Sequence, residues 1–144
     1  MRALLDVNVL IALLDGSHAF HSKAHGWWVA HAASGWASCP LTENAVVRIM
    51  SHPSYSAGRR FTPSEIITAL ASFASGTDHL FWADDLSYRD PAVFDSSKIH
   101  GPKQLTDLYL LALAMKKGGR LATFDQAIPV SVVKGAAPRH LTVL

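Results

Sequence analysis

The chain has 144 residues, 49% of them hydrophobic and 17% charged, with a net charge of +2 and a single cysteine. That length fits one domain over residues 1–144, and the lone Cys39 excludes an internal disulfide and suits a reducing cytoplasm. A pI near 8.9 leans mildly toward anionic partners, and a mean hydropathy of +0.17 is greasy enough to expect a partner or second copy over part of the surface.

Taken in order, Ala3-Leu4-Leu5 reads as a short buried strand that stops on Asp6. The charge-free run Val9–Leu14 follows at once and suits a buried helix. Asp6 and Asp15 interrupt the apolar N-terminus, so it does not read as a signal peptide, and no apolar run reaches the ~18 residues that span a bilayer. Asp15-Gly16-Ser17 marks a turn, and helix periodicity runs from His18 to Ser34 until Gly35 stops it. Trp36–Cys39 is a second strand closed by Pro40, and Thr42 is placed to cap a helix that Glu43 begins. His52–Thr62 is a loop. Thr62-Pro63-Ser64-Glu65 then opens a helix to about Ser75, with Thr62 as cap and Pro63 in the first helical position.

His79–Trp82 is a third strand, and an irregular stretch runs from Tyr88 to Lys103. Leu105–Lys117 is nearly charge-free from Leu108 to Met115 and should be buried on most sides. Arg120–Phe124 forms a fourth strand ending on Asp125, and Leu141–Leu144 adds a last one. Strands alternating with helices predict a parallel sheet in a layered α/β fold.

Four acids share a positional logic. Asp6 and Asp125 each follow a strand directly, while Glu43 and Asp107 each follow a threonine in the first turn of a helix. Right-handed crossovers carry strand ends and helix starts to one edge of the sheet, where all four can converge. Any one of them alone reads equally well as a helix cap. Together, carboxylates sharing a small site need a cation to cancel their repulsion, and a hard divalent ion such as Mg²⁺ or Mn²⁺ suits oxygen donors. Such an ion can orient a water, lower its pKa and neutralise a phosphoryl group, as phosphodiester hydrolysis requires.

In chain order, Asp6-Val7-Asn8-Val9-Leu10-Ile11, Leu41-Thr42-Glu43-Asn44, Gln104–Ala112 and Ala122-Thr123-Phe124-Asp125 resemble the motifs of PIN-domain ribonucleases. More closely, they resemble the VapC toxins of type II toxin–antitoxin operons. The resemblance covers nearly the whole chain. It implies a three-layer α/β/α sandwich with a central parallel sheet, a Mg²⁺ or Mn²⁺ site, and endonucleolytic cleavage of structured RNA (tRNA, rRNA or mRNA) that inhibits translation. By that likeness Asp6 and Asp107 are the primary metal ligands, and Glu43 completes the metal shell or positions the water. Asp125 holds a second metal or its waters, and Asn8, Thr106 and Thr123 orient the carboxylates. The likeness also implies a small VapB-like antitoxin as partner, a homodimer, and a toxin–antitoxin hetero-oligomer. One departure is Leu111, where some relatives carry a further acid one helical turn beyond Asp107.

Outside the acids, Arg59-Arg60-Phe61 with Tyr55 and His52 combines cationic and stacking groups suited to looped RNA, and Lys103 can reach a phosphate near the metal. Arg48 is a candidate structural partner for one of the acids. His18, His21 and His25 have spacings open to a transition metal, but no second pair of ligands accompanies them. The four tryptophans read as core. Two rival readings are a catalytically silent PIN-like module that binds RNA or protein, and a phosphate-accepting receiver domain. The receiver needs paired acids after the first strand, whereas Asp84-Asp85 follows the third.

Overall fold

A computed structural model describes residues 1–144. Five short strands, β1 (Ala3–Leu5), β2 (Trp36–Ser38), β3 (His79–Phe81), β4 (Arg120–Thr123) and β5 (Leu141–Val143), form one sheet in the order β3-β2-β1-β4-β5. Every pairing is parallel. Five α-helices connect them: α1 (Val7–Leu14), α2 (His21–His31), α3 (Pro40–Met50), α4 (Pro63–Ser75) and α5 (Leu105–Lys116).

The alternation of side chains along the strands sorts the core into two halves. Ala3, Leu5, Trp36 and Ala122 face α1, α3 and α4, while Leu4, Ala37 and Leu121 face α5 and the segment carrying Ile128, Val132 and Val133. This is the expected three-layer α/β/α sandwich. Helix α5 is its most buried member, with Leu108 and the run Leu110–Ala114 all without solvent exposure. Leu111, within that run, is core.

The strand order fixes where a site can form. From β1 the chain moves outward through β2 to β3, then returns through α5 to β4 on the other side of β1. The order therefore reverses between β1 and β4, and the crevice at the carboxyl ends of those strands is the topological switch point of the sheet.

Three boundaries differ from the sequence reading for local reasons. Helix α3 begins at Pro40, with Cys39 extended at the N-cap position and the carbonyl of Cys39 accepting from the Glu43 N–H at 3.0 Å. Thr42 is not the cap. It lies in the first turn, and its hydroxyl accepts from the Cys39 N–H at 3.0 Å. Pro40 closes the strand and opens the helix, because its fixed φ suits the first helical position.

Helix α2 begins three residues later than the periodicity suggests. The Asp15 carboxylate accepts from the Ser17 N–H, and His18 Nδ1 accepts from the Phe20 N–H, both at 3.0 Å. These local bonds hold residues 15–20 in turns and compete with the helix. The third strand ends at Phe81, and Trp82 follows it as a core residue. Trp36 is fully buried. Trp27 and Trp28 are only half-buried on α2, where Trp28 packs on Phe73 at 5.1 Å. The expected cap at Thr62 does form: it accepts from the Glu65 N–H at 3.1 Å, and Glu65 returns the contact to the Thr62 N–H at 2.8 Å.

Candidate active site

Asp6 leaves β1 in an extended conformation and caps α1, its carboxylate accepting from the Val7 N–H at 2.7 Å. Its second oxygen accepts from the Thr123 hydroxyl at 2.6 Å, a bond joining the ends of the two strands at the switch point. Thr123 in turn accepts from the Asp125 N–H at 3.0 Å, and Asp125 Oδ1 accepts from the Ala127 N–H at 2.8 Å. One fully buried hydroxyl thus fixes Asp6 and the turn that presents Asp125. Asp107 approaches from the first turn of α5 and shares a crevice of about 190 Å³ with Asp125, Lys103 and Gln104.

The electrostatics match that proximity. Burial raises the Asp107 carboxyl to about 7, with further contributions from the neighbouring Asp6 and Asp125. Asp6 is also raised, chiefly by burial, against the opposing pull of its Thr123 and Val7 hydrogen bonds. None of Asp6, Asp107 and Asp125 makes an ion pair with a basic side chain; the ion pairs of this chain are Arg2–Asp78, Lys98–Asp95 and the two lysines 116 and 117 with Asp85. Three acids crowded without a counter-charge form a donor set that fits a hard divalent cation. No three His, Cys, Asp or Glu side chains stand close enough to make a ready-made cage. A Mg²⁺-like ion does not require one, since it keeps several waters and is held by one or two carboxylates.

Glu43 is held apart from the crevice of Asp107 and Asp125. It lines a cleft between α3 and α4 of about 750 Å³ with Asn44, Arg48 and Phe81. Its Oε1 accepts from the Ser38 hydroxyl at 2.6 Å, and the same hydroxyl lies 2.8 Å from His79 Nε2. Arg48 lines this cleft without forming an ion pair, so the structural pairing considered for it does not occur. The side chains of Asn8 and Thr106 are exposed and hydrogen-bond no carboxylate; Thr123 alone of the three does so.

Among the basic candidates, Lys103 lines the crevice itself. Arg59 covers the ring of Phe61 at 4.6 Å, and Tyr55 of the same loop donates to Asp15 at 2.6 Å. Asp15 closes the far end of α1 from Asp6, so Arg59 and Arg60 belong to a loop about 12 Å of helix away from the acids. The histidines form no three-ligand metal group: His21 and His25 stack with ring centroids 5.8 Å apart, His21 Nδ1 pairs with the Ala12 carbonyl at 2.7 Å, and His18 Nδ1 is engaged by the Phe20 N–H.

A family model for the PIN domain matches residues 3–130. Ribonuclease VapC44 of Mycobacterium tuberculosis is 46% identical over 147 residues, covering 100% of both chains. The chain belongs to the VapC ribonucleases of the PIN-domain family. Ribonuclease VapC39 of the same organism is 41% identical, covering 94% of this chain and 96% of its own, and ribonuclease VapC38 is 41% identical, covering 88% and 86%. The likeness to these ribonucleases over nearly the whole chain makes this chain a nuclease and sets aside the receiver-domain reading.

Ser38 closes β2 at this edge of the sheet, and His79, the first residue of β3, reaches its hydroxyl; neither was singled out in the sequence. Ser38 carries a usable signal, a polar residue closing the otherwise apolar strand β2. Replacing Thr123 with Val keeps the shape and removes the hydroxyl shared by Asp6 and Asp125. Mn²⁺ affinity, measured by calorimetry, is expected to fall by roughly 10–100-fold, the usual effect of losing a group that orients a ligand. Unchanged affinity would show that Thr123 serves packing only.

Proposed function

We propose that Asp6, together with Asp107 and Asp125 of the adjoining crevice, holds a divalent cation, Mg²⁺ or Mn²⁺, and that this VapC ribonuclease hydrolyses phosphodiester bonds in structured RNA of the translation machinery. The observation that carries the reading is the trio of mutually repelling, unpaired carboxylates at the switch point. A divalent ion bound there would offset that repulsion, polarise the scissile phosphoryl group and lower the pKa of a water.

The chain's own groups have separable tasks. Asp6, locked by Thr123 and Val7, and Asp107, at the helix N-terminus, hold the ion. Asp125, fixed by its turn, accepts from the waters around it. Glu43 orients the attacking water from the first turn of α3. Lys103, on the rim of the crevice, contacts a phosphate of the RNA. Arg59 and Arg60 touch a more distant part of a folded substrate. Attack on phosphorus in line with the 3′ oxygen leaves a 5′-phosphate and a 3′-hydroxyl.

As a toxin of this family the protein works in the cytoplasm with a small VapB-like antitoxin, as a homodimer and in a hetero-oligomer with that antitoxin. No helix is long and apolar enough to cross a membrane. Exposed Ile67 and Phe81, both lining the α3–α4 cleft, offer the antitoxin an apolar seat. The test is mapping of RNA ends after incubation with antitoxin-free protein in Mg²⁺, Mn²⁺ or chelator. Discrete 5′-phosphorylated ends that vanish in chelator support the reading. Chelator-resistant cutting, or cyclic phosphate ends, would refute it.

A further inference from the structure

We propose that His79 is a positioning residue for Glu43, acting through the buried hydroxyl of Ser38. The inference rests on the reading that Glu43 takes part in hydrolysis.

The register of the sheet creates the contact. β2 and β3 pair Trp36 with His79 and Ser38 with Phe81, so His79 shares a face with Trp36 and Ser38. Glu43 reaches the same hydroxyl from α3. Ser38 is fully buried and has one hydroxyl proton for two neighbours, Glu43 Oε1 at 2.6 Å and His79 Nε2 at 2.8 Å. A carboxylate only accepts, so the serine proton goes to Glu43 and His79 must supply its own proton at Nε2. The result is a directed chain, His79 N–H to Ser38 O–H to Glu43.

His79 is itself held in place. Its ring lies 4.3 Å from that of Trp36, whose indole N–H donates to Thr77 at 2.8 Å, and Thr77 donates to the Phe73 carbonyl at 2.6 Å. Through this chain the sheet and the end of α4 determine where the Glu43 carboxylate sits. The chain engages Oε1 and leaves Oε2 without a protein partner. That free oxygen is the one available to a water. Without the His79 donor, the serine proton loses its fixed direction and the long Glu43 side chain regains rotamer freedom.

The test uses the full chain with ¹⁵N-labelled histidine, together with cleavage kinetics. The His79 ring is expected as the Nε2–H tautomer, with that preference lost in Ser38→Ala. His79→Ala is expected to lower kcat roughly tenfold or more with little change in KM, and His79→Gln, which still carries a donor, to recover part of it. Combining His79→Ala with Glu43→Gln should cost no more than Glu43→Gln alone, since both act through one carboxylate. An Nδ1–H tautomer in the unaltered protein, or a full rate in folded His79→Ala while Glu43→Gln is impaired, would overturn the inference and leave the role of Glu43 standing. A full rate in Glu43→Gln would remove that role and the inference with it.

Discussion

Asp107→Asn is expected to lower metal-dependent RNA cleavage by roughly 10³-fold or more while leaving the fold intact. The substitution keeps size and shape but removes the charge proposed to attract the cation. Stabilisation of the transition state by a bound divalent ion amounts to several kcal/mol, and each ~1.4 kcal/mol is about tenfold in rate. Folding should not suffer. Asp107 is raised to about 7 by burial and by the charges of Asp6 and Asp125, so its ionised form opposes the metal-free fold. The variant should therefore melt at the same temperature or higher at neutral pH while cutting far less, an exchange of stability for function common at active sites. Single-turnover cleavage and thermal melting of both proteins check this. Equal cleavage rates would place the chemistry elsewhere or expose a contaminating nuclease.

The second large effect concerns pH and metal together. A carboxyl whose folded pKa lies above its unfolded value binds its proton more tightly in the folded state. Stability is then fully present below the unfolded value and is lost as pH rises through the folded one. For Asp107 the window runs from the ordinary 3.8 to about 7, and Asp6, also raised, adds with the same sign. Asp15, Asp85 and Asp95 are lowered, so their contributions fall away below the ordinary carboxylate range, outside this window. His79 is lowered by burial and opposes the trend, because its contribution rises with pH up to its ordinary value of 6.5.

Subtracting the Asp107→Asn curve removes the histidine and leaves the acid. In chelator, the stability of the unaltered protein relative to the variant is expected to fall between pH 4 and 7 and then level off. Added Mn²⁺ should reverse the difference, and more strongly at pH 7.5 than at pH 5, since the ion must displace the Asp107 proton at the lower pH. Melting temperatures across that range give the answer. A relative stability that is flat or rises with pH would mean that Asp107 is not crowded by its neighbours.

The parts of this molecule that are legible in its sequence are those set by local pattern. Asp6 and Asp125 are found because an apolar strand stops on or just before a carboxylate, and Asp107 because an acid opens the most apolar helix. The Thr62–Glu65 box is likewise self-contained within four residues. What escapes is set by register and distance. The contact between Ser38 and His79 spans 41 residues and exists only because β2 and β3 pair as they do. The separation of Arg59 and Arg60 from the acids depends on Tyr55 tying their loop to the far end of α1, a bond between residues 40 apart. Asn8 and Thr106 stand beside acids in the chain, yet helix geometry turns both side chains outward. Of the three, only Thr123, 117 residues from Asp6, hydrogen-bonds a carboxylate of the trio.

Asp6, Asp107 and Asp125 are expected to hold a divalent cation at the switch point between β1 and β4. Anomalous diffraction from crystals grown with Mn²⁺ tests it most directly. A peak is expected in the crevice beside Asp107, within ligand distance of Asp6 and Asp107 and within reach of Asp125 directly or through water. A peak confined to the His18–His25 region, or an empty crevice at saturating Mn²⁺, would contradict it.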